Sequence, residues 1–463
     1  MTTTRHIPLN PCDYCIFGQH RVWRRQSGLG NFPYMIVEAE GRCDPDVLRG
    51  AVGRCLGRHP VLAARLVLSP FRLRPAWRVD DDAAHLARSA DRAVVFTDLS
   101  GDEDAAGAFV RCFEAYYRGT WYDRAGPQIR IEHYAMPRDR TRIVLRWPHY
   151  LMDAEGAHRL FAMLDDRMGD PAFAAGGGGS GPPAHDLAQR IGRAVGRRAE
   201  FRRKGIGSAA RRPAGELPFR HATEFADAPR TIAYGVLHRH WSGRPVDDVR
   251  KRARSELPPG PALHARYLAA AVCRAQCRLY AERRVETGAF YVTFPMRVGA
   301  SLNDASLLED RPIFGNYLVA PTICVPADTA ADRAVVNAAL IEQIDAFLAE
   351  GGDLKQWALL KMAAMLHHWM YDMIFMLPLD VLRTSSGFSY YRAVEGPLRS
   401  IGGARVANVW GGGPTTTPPA WNPVFCSFGQ HLNLSLTYSR PVISAELAAR
   451  YAELIEIEMF ASA

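Results

Sequence analysis

His-x-x-x-Asp occurs twice in this chain, in PHYLMD at 148–153 and in HHWMYD at 367–372. A neutral histidine held in one orientation can act as a general base, drawing the proton from an attacking hydroxyl or amine. A carboxylate four residues on can lock the loop that holds the ring. Such a base is useful at a strand end or turn, where substrate can reach it, more than on an ordinary helix face.

The two copies differ in setting. RTRIVLRW (140–147) reads as a strand, with Ile143 and Leu145 on one face and Val144 on the other. Pro148 ends its hydrogen bonding and disfavours helix at Trp147, and a helix begins near Gly156. His149 therefore falls at a strand-to-helix corner. HHWMYD instead lies inside WALLKMAAMLHHWMYDMIFML (357–377), which has neither Pro nor Gly. Leu359, Met362, Leu366, Trp369, Met370 and Met373 recur at helical spacing, which predicts a helix over 355–377 whose stripe packs as core or lines a channel. His368 and Asp372 are then neighbours one turn apart, a pairing worth about 0.2–0.5 kcal/mol. Placement favours His149 over His368. The motif alone is also what a loop histidine beside an unrelated carboxylate would give.

Positioning such a base takes a large scaffold. With 463 residues the chain is long for one core, and two domains of roughly 200 residues are expected. A hydrophobic share of 48% with 10% aromatics excludes a disordered chain. The start MTTTRHIPLNPCDYC has no apolar stretch of the signal-peptide kind, and no apolar run reaches the roughly 18–20 residues of a membrane span, so a soluble cytoplasmic protein is expected. The nine cysteines are scattered and read as reduced thiols. Cys12 and Cys15, and Cys273 and Cys277, lack the paired pattern of a structural zinc site, so no metal is expected.

The net charge is +9, and Arg190, Arg193, Arg197, Arg198, Arg202, Arg203, Lys204, Arg211 and Arg212 crowd into one region. That region is either a solvated connector or a surface for an anionic partner: a phosphate-bearing molecule, an acidic carrier protein, or a membrane surface met peripherally. Nucleic acid is not expected, because no recognised motif or aromatic platform accompanies the charge.

PAFAAGGGGSGPP (171–183) cannot hold a helix or strand. It divides the chain into an N-terminal domain (1–170), a Gly/Pro-rich and basic linker (171–220) and a C-terminal domain (221–463). Strands are predicted at 35–41, 92–99, 127–136 and 140–147, with helices from Asp44 onward and after Gly156. Past the linker, 261–283, 330–349, 355–377 and 444–460 read as helices, and 289–296, 316–326, 404–410, 424–429 and 431–439 as strands.

These landmarks, in this order, resemble the CoA-dependent acyltransferase superfamily, and within it the wax ester synthase/diacylglycerol acyltransferase branch most. IPLNPCDYCIF (7–17) looks like the family's opening segment, and LRGAVGRCLGRHPVLAARL (48–66) like its first helix with the RHP-x-L ending. PQIRIEHY (127–134) is similar to the strand before the motif, and PHYLMDAEG (148–156) to His-x-x-x-Asp-x-x-Gly. FPMRV (294–298) resembles the arginine strand, IFGNYL (313–318) the Gly-Asn strand, and ANVWGGGP (407–414) the Asn-Val-Pro-Gly-Pro segment. Three departures stand out. Pro148 replaces the family's first His, Trp410 replaces the Pro of Asn-Val-Pro-Gly, and the Asp-Phe-Gly-Trp-Gly segment of other branches has no match.

The resemblance implies an α+β fold of two chloramphenicol-acetyltransferase-like α/β sandwich domains around a central tunnel. It implies His149 as the catalytic base, Asp153 paired with Arg297 as structure behind it, and Gly156 at the turn. Asn316, Asn408 and Trp147 become candidate substrate or tunnel positions. It also implies no bound cofactor, a thioester donor supplied as acyl-CoA or on a separate acyl carrier protein, and a small-molecule acceptor. An alcohol acceptor gives an ester. The alternatives are an amine acceptor, giving an amide, and a catalytically silent condensation-like binding module.

Overall fold

The computed structural model describes residues 4–460 apart from 29, 69–73, 81, 119–121, 123–125, 166–232, 261, 286–287, 303–312, 331, 368, 371–384, 394–397, 416–419 and 441. The linker and the arginine cluster of 190–212 lie outside the described residues.

In the first half, β1 (Thr4–Pro8) leads into α1 (Pro11–Ser27), β2 (Tyr34–Glu40), α2 (Pro45–Arg58), β3 (Arg65–Val67), β4 (Ala76–Asp80), α3 (Ala83–Ala93), β5 (Val94–Asp98), α4 (Ala105–Arg118), β6 (Arg130–Met136), β7 (Arg140–Arg146) and α5 (Ala154–Ala162). The helices start where their caps dictate. Asn10 accepts the Asp13 N–H and Pro11 opens α1, Asp44 caps α2, and Asp82 caps α3. Gly28, at φ 71°, ends α1 in the left-handed conformation.

The second half runs β8 (Ala233–Ser242), α6 (Arg244–Glu256), α7 (Leu263–Glu282), β9 (Ala289–Thr293), β10 (Met296–Arg297), β11 (Leu318–Val319), β12 (Thr322–Pro326), α8 (Arg333–Ala349), α9 (Gly352–Ala363), β13 (Ser389–Ala393), β14 (Ser400–Ile401), β15 (Ala404–Gly412), β16 (Trp421–Phe428), β17 (His431–Arg440) and α10 (Ala445–Phe460). Ser444 accepts the Leu447 N–H and caps α10, as its position suggests.

Two sheets organise these elements. One has the order β14-β15-β2-β7-β6-β5, the other β13-β16-β17-β8. The first crosses the division drawn from sequence. β15 pairs antiparallel with β2, so two strands from the 221–463 stretch complete the N-terminal sheet. An edge strand as apolar as YMIVEAE would otherwise present open hydrogen-bonding groups, and β15 covers them. One core packs α1, α2 and α5 against the six-stranded sheet, and another packs α7, α8 and α10 against the four-stranded one.

α9 is shorter than the apolar stripe predicts. Its buried positions are Gly352, Asp353, Leu354 and Trp357, all near its start. Past Ala363 the chain tightens: Met365 N–H donates to Met362 O and Leu366 N–H to Ala363 O. Leu359, Met362, Trp369 and Met370 are exposed rather than core, and among the described residues of the stripe only Leu366 packs against the N-terminal core. Met373 and Asp372 lie outside the described residues. A continuous apolar pattern with no Gly or Pro here does not make a continuous helix. No helix among the described residues is long and apolar enough to cross a membrane.

Candidate active site

The PHYLMD copy forms the corner that its sequence predicts. β7 ends at Arg146, Pro148 O accepts the Leu151 N–H, and Trp147 Nε1 donates to Met152 O at 2.8 Å, closing a tight turn. Trp147 is itself 1% exposed inside the N-terminal core, so it shapes the turn from beneath. Asp153 then caps α5, accepting the Gly156 N–H at 2.9 Å.

Gly156 is needed because the chain at 313–316 lies directly against it. A Cβ there would sit 2.2 Å from Ile313 O. The same segment is stitched to the corner by Gly315 N–H to Leu151 O at 2.7 Å and by a parallel bridge between Met152 and Gly315. Gly315 has φ 101° and a Cβ there would lie 2.9 Å from Asn10 Nδ2, so glycine is required on both counts.

His149 is fixed through both of its backbone polar groups. Its N–H donates to Asn31 O at 3.0 Å. Its carbonyl accepts from Asn316 Nδ2 at 2.7 Å. Its ring Nδ1 is buried without a hydrogen bond of normal geometry. Burial lowers the pKa of the ring. The carbonyls of His149 and Met152, the nearby Asp153 charge and the Asn316 side chain oppose that shift without reversing it. The imidazole is therefore neutral at neutral pH, the state a general base requires.

Behind Asn316 stands Asp13, which sequence reasoning did not single out. Asp13 Oδ1 accepts from Asn316 N at 2.7 Å and from Asn316 Nδ2 at 2.8 Å. Burial pushes the Asp13 carboxyl up to about 8, with the Asp153 charge adding to the effect and the hydrogen bonds from Asn316 and Asn10 resisting it. Behind Asn31 stands His20, whose Nδ1 accepts the Asn31 N–H at 3.1 Å. An aspartate and a histidine at inward positions of an otherwise apolar helix face were the available signal.

The remaining candidates divide. Arg297 reaches the start of α5, where it pairs with Glu155, two residues beyond the Asp153 that the resemblance implies as its partner. Glu155 also accepts from Arg159 at 2.9 Å. Asn408 joins a different network: it exchanges hydrogen bonds with Asn433 at 3.0 Å and donates to Glu38 at 3.3 Å, tying β15 to β17 and β2. His238 stacks on Trp410 beside it, with ring centroids 3.8 Å apart. His367 is half-buried at the end of the α9 segment, and His368 lies outside the described residues. The nine cysteines are all thiols. Among the described residues no cluster of His, Cys, Asp or Glu is arranged to hold a metal ion.

No protein-family model matches the chain, and no curated protein does. Solved structures do. The TRI3 trichothecene 15-O-acetyltransferase from Fusarium sporotrichioides superposes with a TM-score of 0.66 at 10% identity, covering 99% of this chain and 95% of that one. The first condensation domain of the calcium-dependent antibiotic synthetase gives 0.65 at 15% identity, covering 98% and 97%. Polyketide synthase associated protein 5 from Mycobacterium tuberculosis gives 0.59 at 17% identity, covering 98% and 99%. The chain thus has, over essentially its whole length, the fold of these condensation domains and of this O-acetyltransferase.

Proposed function

We propose that this protein is an acyltransferase that moves an acyl group from a CoA or carrier-protein thioester to an alcohol, with His149 as general base. The observation that supports this most is the His149 corner. A neutral imidazole projects from a strand-to-helix turn, on a residue whose backbone is held at both N–H and C=O. Nδ1 is buried without a hydrogen-bond partner, and we assign Nε2 to the acceptor.

Nε2 takes the hydroxyl proton as the acceptor oxygen attacks the thioester carbonyl carbon. The C–O bond forms, the C–S bond breaks, and the proton passes to the departing thiolate. The products are an ester and a free thiol, with the imidazole returned to its neutral form. Asp153 holds the corner by capping α5, and Arg297 anchors the start of the same helix through Glu155. The likeness in fold to an O-acetyltransferase and to condensation domains supports the reaction class.

The test is mass spectrometry of products from the purified chain given a panel of acyl-CoAs and a pool of alcohols and amines. Ester products are expected, and amides would move the acceptor to an amine. His149→Ala should lower turnover about 10²–10⁴-fold, the usual contribution of base catalysis. His368→Ala should retain much of it. The opposite ranking of the two variants would overturn the assignment.

A further inference from the structure

α1 contributes no residue to the proposed chemistry, yet one of its faces addresses the His149 corner at three successive positions. Asp13, Phe17 and His20 stand at i, i+4 and i+7, which places them on one side of the helix. Asp13 holds Asn316, and Asn316 holds the His149 carbonyl. His20 holds the Asn31 N–H, and Asn31 O holds the His149 N–H. Phe17 packs edge-on against Tyr150, the next residue, at 5.1 Å, and the His20 ring does the same at 5.1 Å.

We infer that α1 is the brace that sets the orientation of His149, with Asp13 and His20 as positioning residues acting through Asn316 and Asn31. This rests on the reading of His149 as the base. Four features fit a brace rather than ordinary packing. Both backbone polar groups of one residue are claimed by side chains or turns anchored on the same helix. Asp13 is only 5% exposed and His20 only 1%, so neither serves solubility. His20 is caged by Phe17, Phe32, Tyr122 and Tyr150, and a Cβ on Gly30 would strike its ring, so it cannot swing away. The helix itself is pinned along its first turn: Cys12 Sγ donates to Leu318 O and Tyr14 Oη to Leu366 O, both in the other half of the chain.

The expected consequences follow from what each side chain does. Asp13→Leu and Asn316→Ala free the His149 carbonyl, let the ring drift and admit water. Asp13→Asn keeps an acceptor oxygen for Asn316, so it should rescue most of the loss. Misplacement of a reacting group by about 1 Å costs on the order of 10²-fold in rate. A fall in kcat of about 10- to 100-fold with KM little changed is therefore expected for the first two variants.

The test is made on the full chain, with histidine labelled at Cε1 for NMR and the His149 resonance assigned from His149→Gln. Burial of the ring places the expected wild-type titration midpoint below the ordinary value of about 6.5. It should move away from the wild-type value in Asp13→Leu and Asn316→Ala and stay near wild type in Asp13→Asn. In acyl-CoA assays, adding Asp13→Leu to His149→Ala should change the residual rate less than about twofold, because no ring remains to be placed.

If His149→Ala turns over like wild type, the base assignment fails and the brace with it. If His149→Ala is inactive while folded Asp13→Leu and Asn316→Ala keep wild-type kcat and His149 titration, the base stands and the brace fails. A further loss in the His149→Ala background would likewise assign Asp13 to stability alone. Should Asp13→Leu not fold, Asn316→Ala and the Asp13→Asn rescue decide the question.

Discussion

Arg146 and Glu132 form a buried ion pair across β6 and β7, with Nε 2.7 Å from Oε1 and each side chain 1% exposed. Arg146 also donates to Phe113 O at 2.9 Å and lies 4.3 Å from the centroid of the Phe113 ring, while Tyr134 Oη donates to Glu132. The pair closes β7 three residues before His149. Arg146→Met leaves a buried carboxylate with Arg130, 3.4 Å away, as its remaining cation. A loss of about 3 kcal/mol, the lower end of the 3–5 kcal/mol range for breaking a buried pair, is expected in urea unfolding. A loss below about 1 kcal/mol would mean that Arg130 takes over.

Gly156→Ala should act on both stability and rate. Its Cβ would meet a backbone oxygen at 2.2 Å and Met152 Cβ at 3.0 Å, so either α5 or the 313–316 segment must shift. Overpacking of this kind costs about 1–3 kcal/mol. Because the shift is transmitted to the corner, turnover should fall by more than the unfolded fraction accounts for. A variant that loses stability but no kcat would separate the turn from the base.

The pH dependence of kcat/KM follows from the lowered His149 pKa. The base works only when neutral, so the rate falls as pH drops through the folded-state value. The acid limb should therefore be centred below the ordinary histidine value of about 6.5, with a plateau at neutral pH. A midpoint above 6.5, measured with a saturating acyl-CoA and the acceptor found in the product screen, would contradict the burial argument.

Stability should respond to acid with the same sign. Burial lowers the pKa values of His59 and His238, each to about 4, and lowers that of His133 as well. In the window between about 6.5 and 4 these three histidines bind protons in the unfolded chain that they do not bind in the folded one, against the single raised carboxyl of Asp13, which acts with the opposite sign. The unfolding free energy therefore falls as pH drops through that window. Denaturant midpoints measured at pH 7 and pH 5 should decline in that order, and His238→Gln should reduce the difference.

Trp369→Ser and Met362→Gln should be nearly silent in urea unfolding, within about 0.5 kcal/mol of wild type. Both side chains are more than half exposed, at 55% and 54%. Losses of 2 kcal/mol or more would restore the apolar stripe to the core.

The elements around the site are legible in the sequence to different degrees. β7, Pro148 and α5 follow from alternation, a missing N–H and a capping aspartate, and these three signals suffice to put His149 at a corner. α1 is not announced by periodicity, although Asn10, Pro11 and Gly28 mark its ends. Its inward face places Asp13 and His20 beside Phe17, which breaks the apolar pattern that normally reveals a helix. Arg297 pairs with Glu155, and spacing alone does not single out that carboxylate from the two at the start of α5. α9 ends through successive tightened turns with no Pro or Gly to announce the stop.

The pairing of β15 with β2 governs the order in which the protein can be made. β2 leaves the ribosome early, but the strand that covers its edge is encoded near the other end of the chain. At ordinary synthesis speeds that interval is roughly tens of seconds, during which the YMIVEAE edge lacks its final neighbour. The scaffold carrying His149 is therefore completed only after β15 has followed β2 off the ribosome. A truncated product stopping before Ala404 would carry every residue of the PHYLMD corner and still expose an adhesive, unfinished sheet.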